Sequence, residues 1–488
     1  VVRHTKNPPH KQHIWFLPTH KATAEKTKRA VFCLCARKKC EKLVNKKSKT
    51  DRARQQTLLS CTVKQKIMIK ERIDIKNIDG QLFEIKIVEP DNSKPASFTH
   101  YLHNHKNGVS HFYKKDALSY VKEILEKEYP TEKITNKVAE EALQYLIFDL
   151  KKSVPFPAPK NPKFKFIDLF AGIGGFRLAF QNLEGKCVFT SEWDKYSKQT
   201  YKANFGEIPF GDITKPETKN YIPDNFDVLC AGFPCQAFSI AGRRGGFEDT
   251  RGTLFFDVAE IIRKKQPRAI FLENVKGLRN HDKGKTLATI LNVLREDLNY
   301  YVPEPQILNA KEFGVPQNRE RIFIVGFRKD LGVTDFQYPK PTNNNTVLDD
   351  ILEQEEVSVK YYLSTTYLQT LKNHRARHES KGNGFGYEII PNDGTANAVV
   401  CGGMGRERNL VFDDRLTNFK PITNISGKVN REGIRKMTPR EWARLQGFPD
   451  NFKIIVSDAQ AYKQFGNSVA VPAIQATAEK IIEKLNCK

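Results

Sequence analysis

Long hydrophobic runs are missing from this chain. Nowhere do apolar residues approach the roughly 18 consecutive positions of a membrane-spanning helix, so the sequence excludes an integral membrane protein built on such helices. Methionine is scarce, at Met68, Met404 and Met437 only, and the first residue is Val1. Ordinary initiation would therefore begin no earlier than Met68, unless Val1 marks an unusual start or a truncation. Acidic residues are outnumbered, 56 against 80 Lys and Arg, and the formal charge is +24. A balance of that sign favours an acidic partner, most simply a nucleic acid backbone, with a solvated basic surface as the alternative. The nine cysteines are odd in number and lack disulfide-like spacing, which indicates a reducing, intracellular setting. No charged, apolar and small-residue succession makes a secretory signal. What is present, 39% apolar residues in a chain of 488, suffices for two or three packed domains.

The charge is unevenly placed. Residues 1–67 hold 18 Lys or Arg against Glu25, Glu41 and Asp51, a net of +15, which leaves +9 for everything after them. This stretch has no sustained periodicity and strings Pro and His with Lys, as in KNPPHKQH, so it reads as a disordered or non-native leader. Cys33, Cys35 and Cys40 form no paired CxxC and have no His at finger spacing, so no metal site is read there or elsewhere.

From Met68 the pattern becomes structured. IMIKERIDIK and GQLFEIKIVE alternate apolar and polar residues around Asp79-Gly80, the signature of a hairpin. Leu118, Val121 and Leu125 then share a helical face, as do Val138, Leu143, Leu146, Ile147 and Leu150. Residues 68–150 are expected to form a small α+β domain. Pro155, Pro157, Pro159 and Pro162 make 151–163 a stiff linker. Beyond it, KFIDLF, KCVFTSE, FDVLCAGF, AIFLENV and RIFIVGF alternate with helical stretches at 254–265 and 284–297, which predicts a doubly wound α/β sheet over 164–339. Ligands of such sheets sit at the carboxyl ends of the strands. Periodicity weakens over 340–435, where Gly, Asn and Arg concentrate, and a second, loop-rich domain is expected. Residues 436–488 return to the first domain and end in an apolar helix from about Val471 to Leu485.

The chemistry-bearing residues gather at the predicted strand ends. KFIDLF runs into AGIGGFRLAF, whose Gly172, Gly174 and Gly175 let backbone approach a ligand at a helix start. Arg177 and Leu178 stand where a dinucleotide fingerprint needs its last glycine, which disfavours a dehydrogenase. The next strand ends in Ser191-Glu192-Trp193-Asp194, and a third is expected to end at Asp212. Acids at successive strand ends repel a pyrophosphate but suit a neutral or cationic nucleoside, for which S-adenosylmethionine is the candidate. Further along, Gly232-Phe233-Pro234-Cys235-Gln236 and Glu273-Asn274-Val275 end neighbouring strands, bringing a thiol nucleophile and a general acid together. Taken alone, Cys235 would read as an inert buried residue.

The order FIDLFAGIGG, SEWD, GDI, GFPCQAFS, RGTLFFD, FLENV, QNRER, RLQGFPD, QFGNSV resembles the DNA (cytosine-5)-methyltransferases of bacterial restriction-modification systems over about 164–485. The resemblance implies a Rossmann-like, S-adenosylmethionine-dependent methyltransferase domain, with 340–435 as target-recognition domain. It implies that Cys235 adds to C6 of a flipped-out cytosine, that Glu273 protonates N3, and that Arg319 and Arg321 steady the base. Phe170, Gly172, Gly174, Glu192, Trp193, Asp212, Pro234, Leu254, Asn467 and Ser468 would form the cofactor shell. Gln236, Ser239, Arg243 and Arg244, in the loop after the nucleophile, and Arg406 and Arg408 would contact DNA; Arg375 and Arg377 are further candidates for such contacts. The implied enzyme (EC 2.1.1.37) is a cytoplasmic monomer acting on double-stranded DNA, with no membrane partner, and protecting it from a cognate restriction endonuclease.

Two rivals follow from the same motifs. One family branch methylates transfer RNA, but CQAFSIAG matches the DNA enzymes and the recognition region is sizeable. A catalytically dead DNA-binding regulator is disfavoured by the intact Cys235, Glu273, Arg319 and Arg321.

Overall fold

The computed structural model describes residues 74–78, 81–85, 93–104, 109–128, 130, 134–150, 154–234, 254–342, 345–384, 386–402, 405–422 and 427–486. The segment read as a leader, 1–67, lies outside the described residues. So do Met68 and the Asp79-Gly80 turn, but the hairpin is present: β1 (Asp74–Ile78) pairs antiparallel with β2 (Gln81–Ile85), Ile78 facing Gln81. Three helices follow, α1 (Ser93–Asn104), α2 (Ser110–Glu128) and α3 (Asn136–Leu150). On α2 the expected face is buried at Val121 and Leu125 and partly at Leu118. Neither helix nor strand occurs from 154 to 163, consistent with proline's fixed φ and missing donor.

The central elements are β3 (Phe164–Leu169), α4 (Gly175–Asn182), β4 (Gly185–Thr190), α5 (Lys195–Phe205), α6 (Pro216–Lys219), β5 (Val228–Gly232), α7 (Leu254–Lys265), β6 (Ala269–Val275), α8 (Lys285–Asn292), β7 (Tyr300–Tyr301), β8 (Gln306–Asn309), β9 (Gln317–Asn318) and β10 (Glu320–Arg328). The main sheet has the order β4-β3-β5-β6-β10-β7, with β8 also paired to β10. β4, β3, β5 and β6 run parallel, while β10 is antiparallel to β6, β7 and β8. Strands covered on both faces bury nearly every residue, and all six positions of β4 are buried. Alternate side chains sort to the two faces. Phe166, Cys230 and Phe271 join α4 and α12 in one core, while Ile167, Leu229 and Ile270 join α7 and α8 in the other. The second core also holds Phe98, Leu102, Tyr113 and Val121, so α1 and α2 pack on the sheet itself.

One expected strand is corrected. At 208–212, where a third strand was expected to end at Asp212, the chain makes a single parallel bridge from Phe210 to Ser191. Pro209 has no N–H to donate, so a ladder cannot continue through it.

After the sheet come α9 (Thr365–Glu379), β11 (Ala396–Asn397), β12 (Leu410–Phe412), β13 (Ile434–Lys436), α10 (Pro439–Leu445), α11 (Asp458–Asn467) and α12 (Val471–Asn486). Region 345–435 is loop-rich apart from α9, a helix that the sequence pattern did not reveal. Ser364 caps it, its hydroxyl accepting from the Tyr367 amide at 3.1 Å, yet only Leu368 and Leu371 on it are buried. The last helix, α12, returns to the sheet and packs beside α4. Among the described residues no helix is long and apolar enough to cross a membrane.

Candidate functional site

The parallel strands set the site. Register places Gly232, the last residue of β5, beside Glu273 of β6, and a Cβ on Gly232 would lie 3.5 Å from Glu273 Oε2. The backbone leading to Phe233 and Pro234 thus passes within van der Waals reach of the carboxyl. Asn274 fixes that path from below, its Nδ2 donating to the Phe233 carbonyl at 2.9 Å. Cys235 follows Pro234 directly but lies outside the described residues, as do Gln236, Ser239, Arg243 and Arg244.

Glu273 is buried, and its Oε1 lies 3.1 Å from Arg321 Nε of β10. Antiparallel pairing of β6 with β10 puts Arg321 opposite Val275 and Phe323 opposite Glu273, so the two charged side chains meet diagonally on one face. Burial pushes the Glu273 carboxyl up from its ordinary value, while the Arg321 and then the Arg319 guanidinium pull it back. The result is an acid inclined to keep its proton yet electrostatically supported when it loses it.

Arg319, expected to steady the base together with Arg321, makes its described hydrogen bonds within the protein. It is buried, donating from one terminal nitrogen to the Val399 carbonyl at 2.8 Å and from the other to the Gly466 and Ser468 carbonyls. These carbonyls lie in the recognition region and the C-terminal segment, so Arg319 ties both to the sheet. Burial, then the neighbouring Arg321, lower its pKa to about 9. Its Nε has no partner among the described residues.

The expected cofactor shell gathers at the ends of β3 and β4. Phe170 adopts φ 58°, Gly172 φ 55° and Gly174 φ 92°, a left-handed stretch that turns the chain from β3 into α4. A Cβ on Gly174 would strike the Phe205 ring at 2.3 Å, whereas one on Gly172 would meet nothing within 4 Å. Open space therefore lies in front of Gly172. Glu192 is buried and accepts from the Gly172 amide through Oε2 and the Asp194 amide through Oε1, each at 2.7 Å. Trp193 next to it is 80% exposed, a bare aromatic plane. Asp212 accepts from the Thr214 amide at 2.9 Å. Leu254 begins α7 and Pro234 is exposed at the end of the β5 path.

Ser468 and Val469 return from the chain's far end to the same turn, with Ser468 Oγ 3.2 Å from where a Gly175 Cβ would be. Asn467 Oδ1 accepts from the Cys401 thiol at 2.8 Å, linking the recognition region to this segment. Asp168 was not singled out from the sequence. It is fully buried in β3, and neither carboxylate oxygen has a partner among the described residues. The available signal was an acid inside the apolar run FKFIDLF.

In the loop-rich region 345–435, Arg406 and Arg408 are exposed. Arg406 lies over the Tyr462 ring, 5.4 Å from its centroid, and Arg408 hydrogen-bonds Asn397 Oδ1 at 3.4 Å. Arg375 is held within its own region, pairing with Glu379 at 2.7 Å and lying over Tyr387. Arg377 donates to the Asn373 carbonyl at 3.3 Å.

Residues 164–483 match the family model described as C-5 cytosine-specific DNA methylase. The chain is similar to Type II methyltransferase M.HpaII of Haemophilus parainfluenzae, 70% identical over 350 residues that cover 72% of this chain and 97% of the relative. It is also similar to Type II methyltransferase M1.ScrFI of Lactococcus lactis subsp. cremoris, 49% identical across 68% of this chain and 81% of the relative. Among solved structures, the methyltransferase EhMeth of Entamoeba histolytica shares the fold, with a TM-score of 0.51 and 18% identity, covering 67% of this chain and 99% of that one.

Proposed function

The chain belongs to the family of C-5 cytosine-specific DNA methylases, enzymes of class EC 2.1.1.37, and from that premise we propose that it methylates a flipped-out cytosine through a covalent bond to Cys235. C5 of cytosine is a weak nucleophile because its electrons belong to an aromatic ring. Addition of the Cys235 thiolate to C6 forms a C–S bond and moves that electron pair toward C5. Glu273 delivers its proton to N3 as the charge builds, and Arg321 orients and stabilises the carboxylate that remains. S-adenosylmethionine, when bound, supplies an electrophilic methyl group on a sulfonium. The activated C5 would take that methyl and a base would then remove the C5 proton; as the thiolate leaves C6, N3 returns its proton to Glu273, which restores both the aromatic ring and the acid.

The residues present fit this cofactor. Glu192 offers a buried carboxylate and Trp193 an exposed plane for stacking, and Gly172 borders open space. Burial raises the Glu192 pKa, while the Asp194 and Gly172 amides support its carboxylate, which would accept hydrogen bonds from ribose hydroxyls. Glu192, Asp212 and Trp193 would hold the nucleoside and the Phe170–Gly174 turn the methionine portion, with Pro234, Leu254, Asn467 and Ser468 closing the shell. Because a stacked base cannot reach the thiol, the cytosine leaves the duplex at a cost of a few kcal/mol. Residues 236–252 would fill its place. The relatives' designation as Type II methyltransferases supports a role in protecting double-stranded DNA from a cognate restriction endonuclease.

The observation that carries the reading is the buried Glu273 carboxyl, paired with Arg321 and set against the strand end that leads to Cys235. Target DNA containing 5-fluorocytosine tests it, since fluorine cannot leave as a proton does. The enzyme should remain bonded to that DNA in denaturant, and a Cys235→Ser variant should not. Methyl transfer without a trapped adduct would overturn the covalent route, and single-base methylation sequencing in a methylation-free host reads the target.

A further inference from the structure

The edge of the sheet nearest the expected nucleoside site is closed by side chains from α1 and α2 instead of by another strand. Among the described residues β4 forms a ladder with β3 alone, apart from the single bridge at its end between Ser191 and Phe210, and a register shift makes Val188 a bulge between Cys187 and Phe189. Buried backbone groups left open by such an edge need partners. Tyr113 of α2 donates its hydroxyl to the Val188 carbonyl at 2.8 Å and also reaches the Tyr221 carbonyl at 3.2 Å. His100 of α1 accepts the Thr190 amide on Nε2 at 3.2 Å, and Thr99 Oγ1 accepts the Ile208 amide at 3.0 Å. The path continues through Phe210, whose amide donates to the Thr190 carbonyl at 2.9 Å and whose carbonyl accepts the Glu192 amide at 3.0 Å. Stacked rings of Phe189, Phe210 and Tyr221 fill the space between, with the His100 ring centroid 4.6 Å from that of Phe210.

We infer that His100 and Tyr113 are positioning residues that hold the end of β4, and with it Glu192 and Trp193, in the geometry that receives the cofactor. This rests on the reading above that Glu192 and Trp193 belong to the cofactor site. The residues supplying these bonds lie before 164, outside the family match. Apolar packing alone would not need a fully buried imidazole and phenol, whose desolvation is costly unless their hydrogen bonds are made.

The imidazole works in one protonation state. The Ala96 carbonyl, 2.9 Å from Nδ1, can only accept, so Nδ1 carries the proton and Nε2 is left as the acceptor for Thr190. A second proton would remove that acceptor and turn Nε2 toward Glu207 Oε1, 3.4 Å away. The charged groups acting on His100 are Glu207 and Arg177, and the Tyr113 ring lies 5.3 Å from its own; Glu207 in turn acts on His103 of the same helix, itself near Lys186, and Arg177 on Tyr201 of α5 and Cys187 of β4. Burial lowers its pKa and outweighs Glu207, which acts the other way.

The test is S-adenosylmethionine binding to the full-length enzyme without DNA, by calorimetry, alongside KM and kcat. His100→Leu leaves a buried amide unpaired and should raise the dissociation constant and the cofactor KM about tenfold, with the DNA KM unchanged. Tyr113→Phe should act in the same direction, about threefold or more. His100→Gln, which retains an acceptor and cannot be protonated, should restore most of the affinity. In the unsubstituted enzyme, binding should hold through the ordinary histidine value of 6.5, because burial keeps the folded imidazole neutral there, and should weaken only at lower pH; in His100→Gln that later loss should be smaller. If His100→Leu and Tyr113→Phe lower thermal stability but leave cofactor affinity unchanged, the inference fails. Trp193→Ala separates the two readings: unchanged affinity there defeats the cofactor-site assignment itself, while a weakened Trp193→Ala beside unaffected His100 and Tyr113 variants defeats only this one.

Discussion

The strand ends and the loop-rich region proposed to read DNA hold their arginines in opposite ways. Arg319 and Arg321 are drawn into the protein and bonded to carbonyls or to Glu273, so their positions are set when the chain folds. Arg406 and Arg408 stay exposed, one stacked on a ring and one on an amide oxygen, and solvent reaches both. Groups that act on a reacting atom must be preorganised, because each misplacement costs rate. Groups that meet a long polyanion gain from adaptability and lose ordering entropy only when the partner arrives.

The largest effect should come from breaking the preorganised side of this contrast. Glu273→Gln keeps size and hydrogen bonding but removes the acid. It should lower kcat about 100- to 10,000-fold while cofactor affinity stays near normal, as measured by single-turnover methylation and by calorimetry. A loss of less than about tenfold would mean that N3 is protonated by another group.

The next effect is on stability, at the junction between the two regions. Arg435 is fully buried, donating to Asp413 at 2.7 Å and to both oxygens of Glu441 at 2.8 Å. Arg435→Leu leaves buried Glu441 with the Glu353 and Thr438 amides but without this guanidinium, while Asp413 keeps Arg415, which should cost about 3 kcal/mol in denaturant unfolding. A cost below about 1 kcal/mol would show that the network relaxes into water.

Much of the catalytic half was legible because its signals are local. An apolar run of strand length, bounded by glycine or an acid, located β3, β5, β6 and β10, and helical periodicity placed α7 at 254–265. The proximity of Glu273 to the Cys235 strand follows from parallel neighbours ending together. What stayed hidden depends on distant partners. α9 was missed because it buries only Leu368 and Leu371, too few to make a stripe. The bonds of Arg319 to Val399 and Ser468 join residues far apart in the chain, and nothing in QNRER announces them. His100 was equally silent, since a histidine on a helix shows no pattern until β4 lies beside it.

The acid side of the pH profile should report the α1–β4 junction. His103 is partly exposed, with Nε2 shielded from solvent, and its pKa is lowered to about 4 from an ordinary 6.5, chiefly by desolvation. The unfolded chain thus takes up that proton first, and stability falls as pH drops from 6.5 toward 4. Glu207 is held down to about 2 by Arg177 and the two histidines despite its burial, so its stabilisation is complete above 4.5 and is lost below that value. Both trends share a sign. The melting temperature should be flat above about pH 7 and decline in two stages below it. A single decline confined to pH below 4.5 would remove His100 and His103 from the account.

The smallest effect belongs to the exposed arginines, and it sharpens the comparison most directly. If Arg406 and Arg408 contact phosphates, replacing either with Ala should weaken binding about equally on target and unrelated DNA. Each replacement should also reduce the slope of log affinity against log salt by about one. If either reads a guanine edge, the loss should be about 1–3 kcal/mol on target DNA only, with relaxed selectivity at one base pair. The Tyr462 ring beneath Arg406 favours the second outcome for that residue, because a stacked guanidinium is held in one plane and presents its donors in a fixed direction. Arg408, with one long hydrogen bond to Asn397, has no such constraint and should behave as a phosphate contact. Fluorescence anisotropy on matched target and scrambled duplexes across a salt series separates the two. Equal losses on both duplexes for Arg406→Ala would place that arginine on the backbone, and the recognition region would then read its sequence through other side chains.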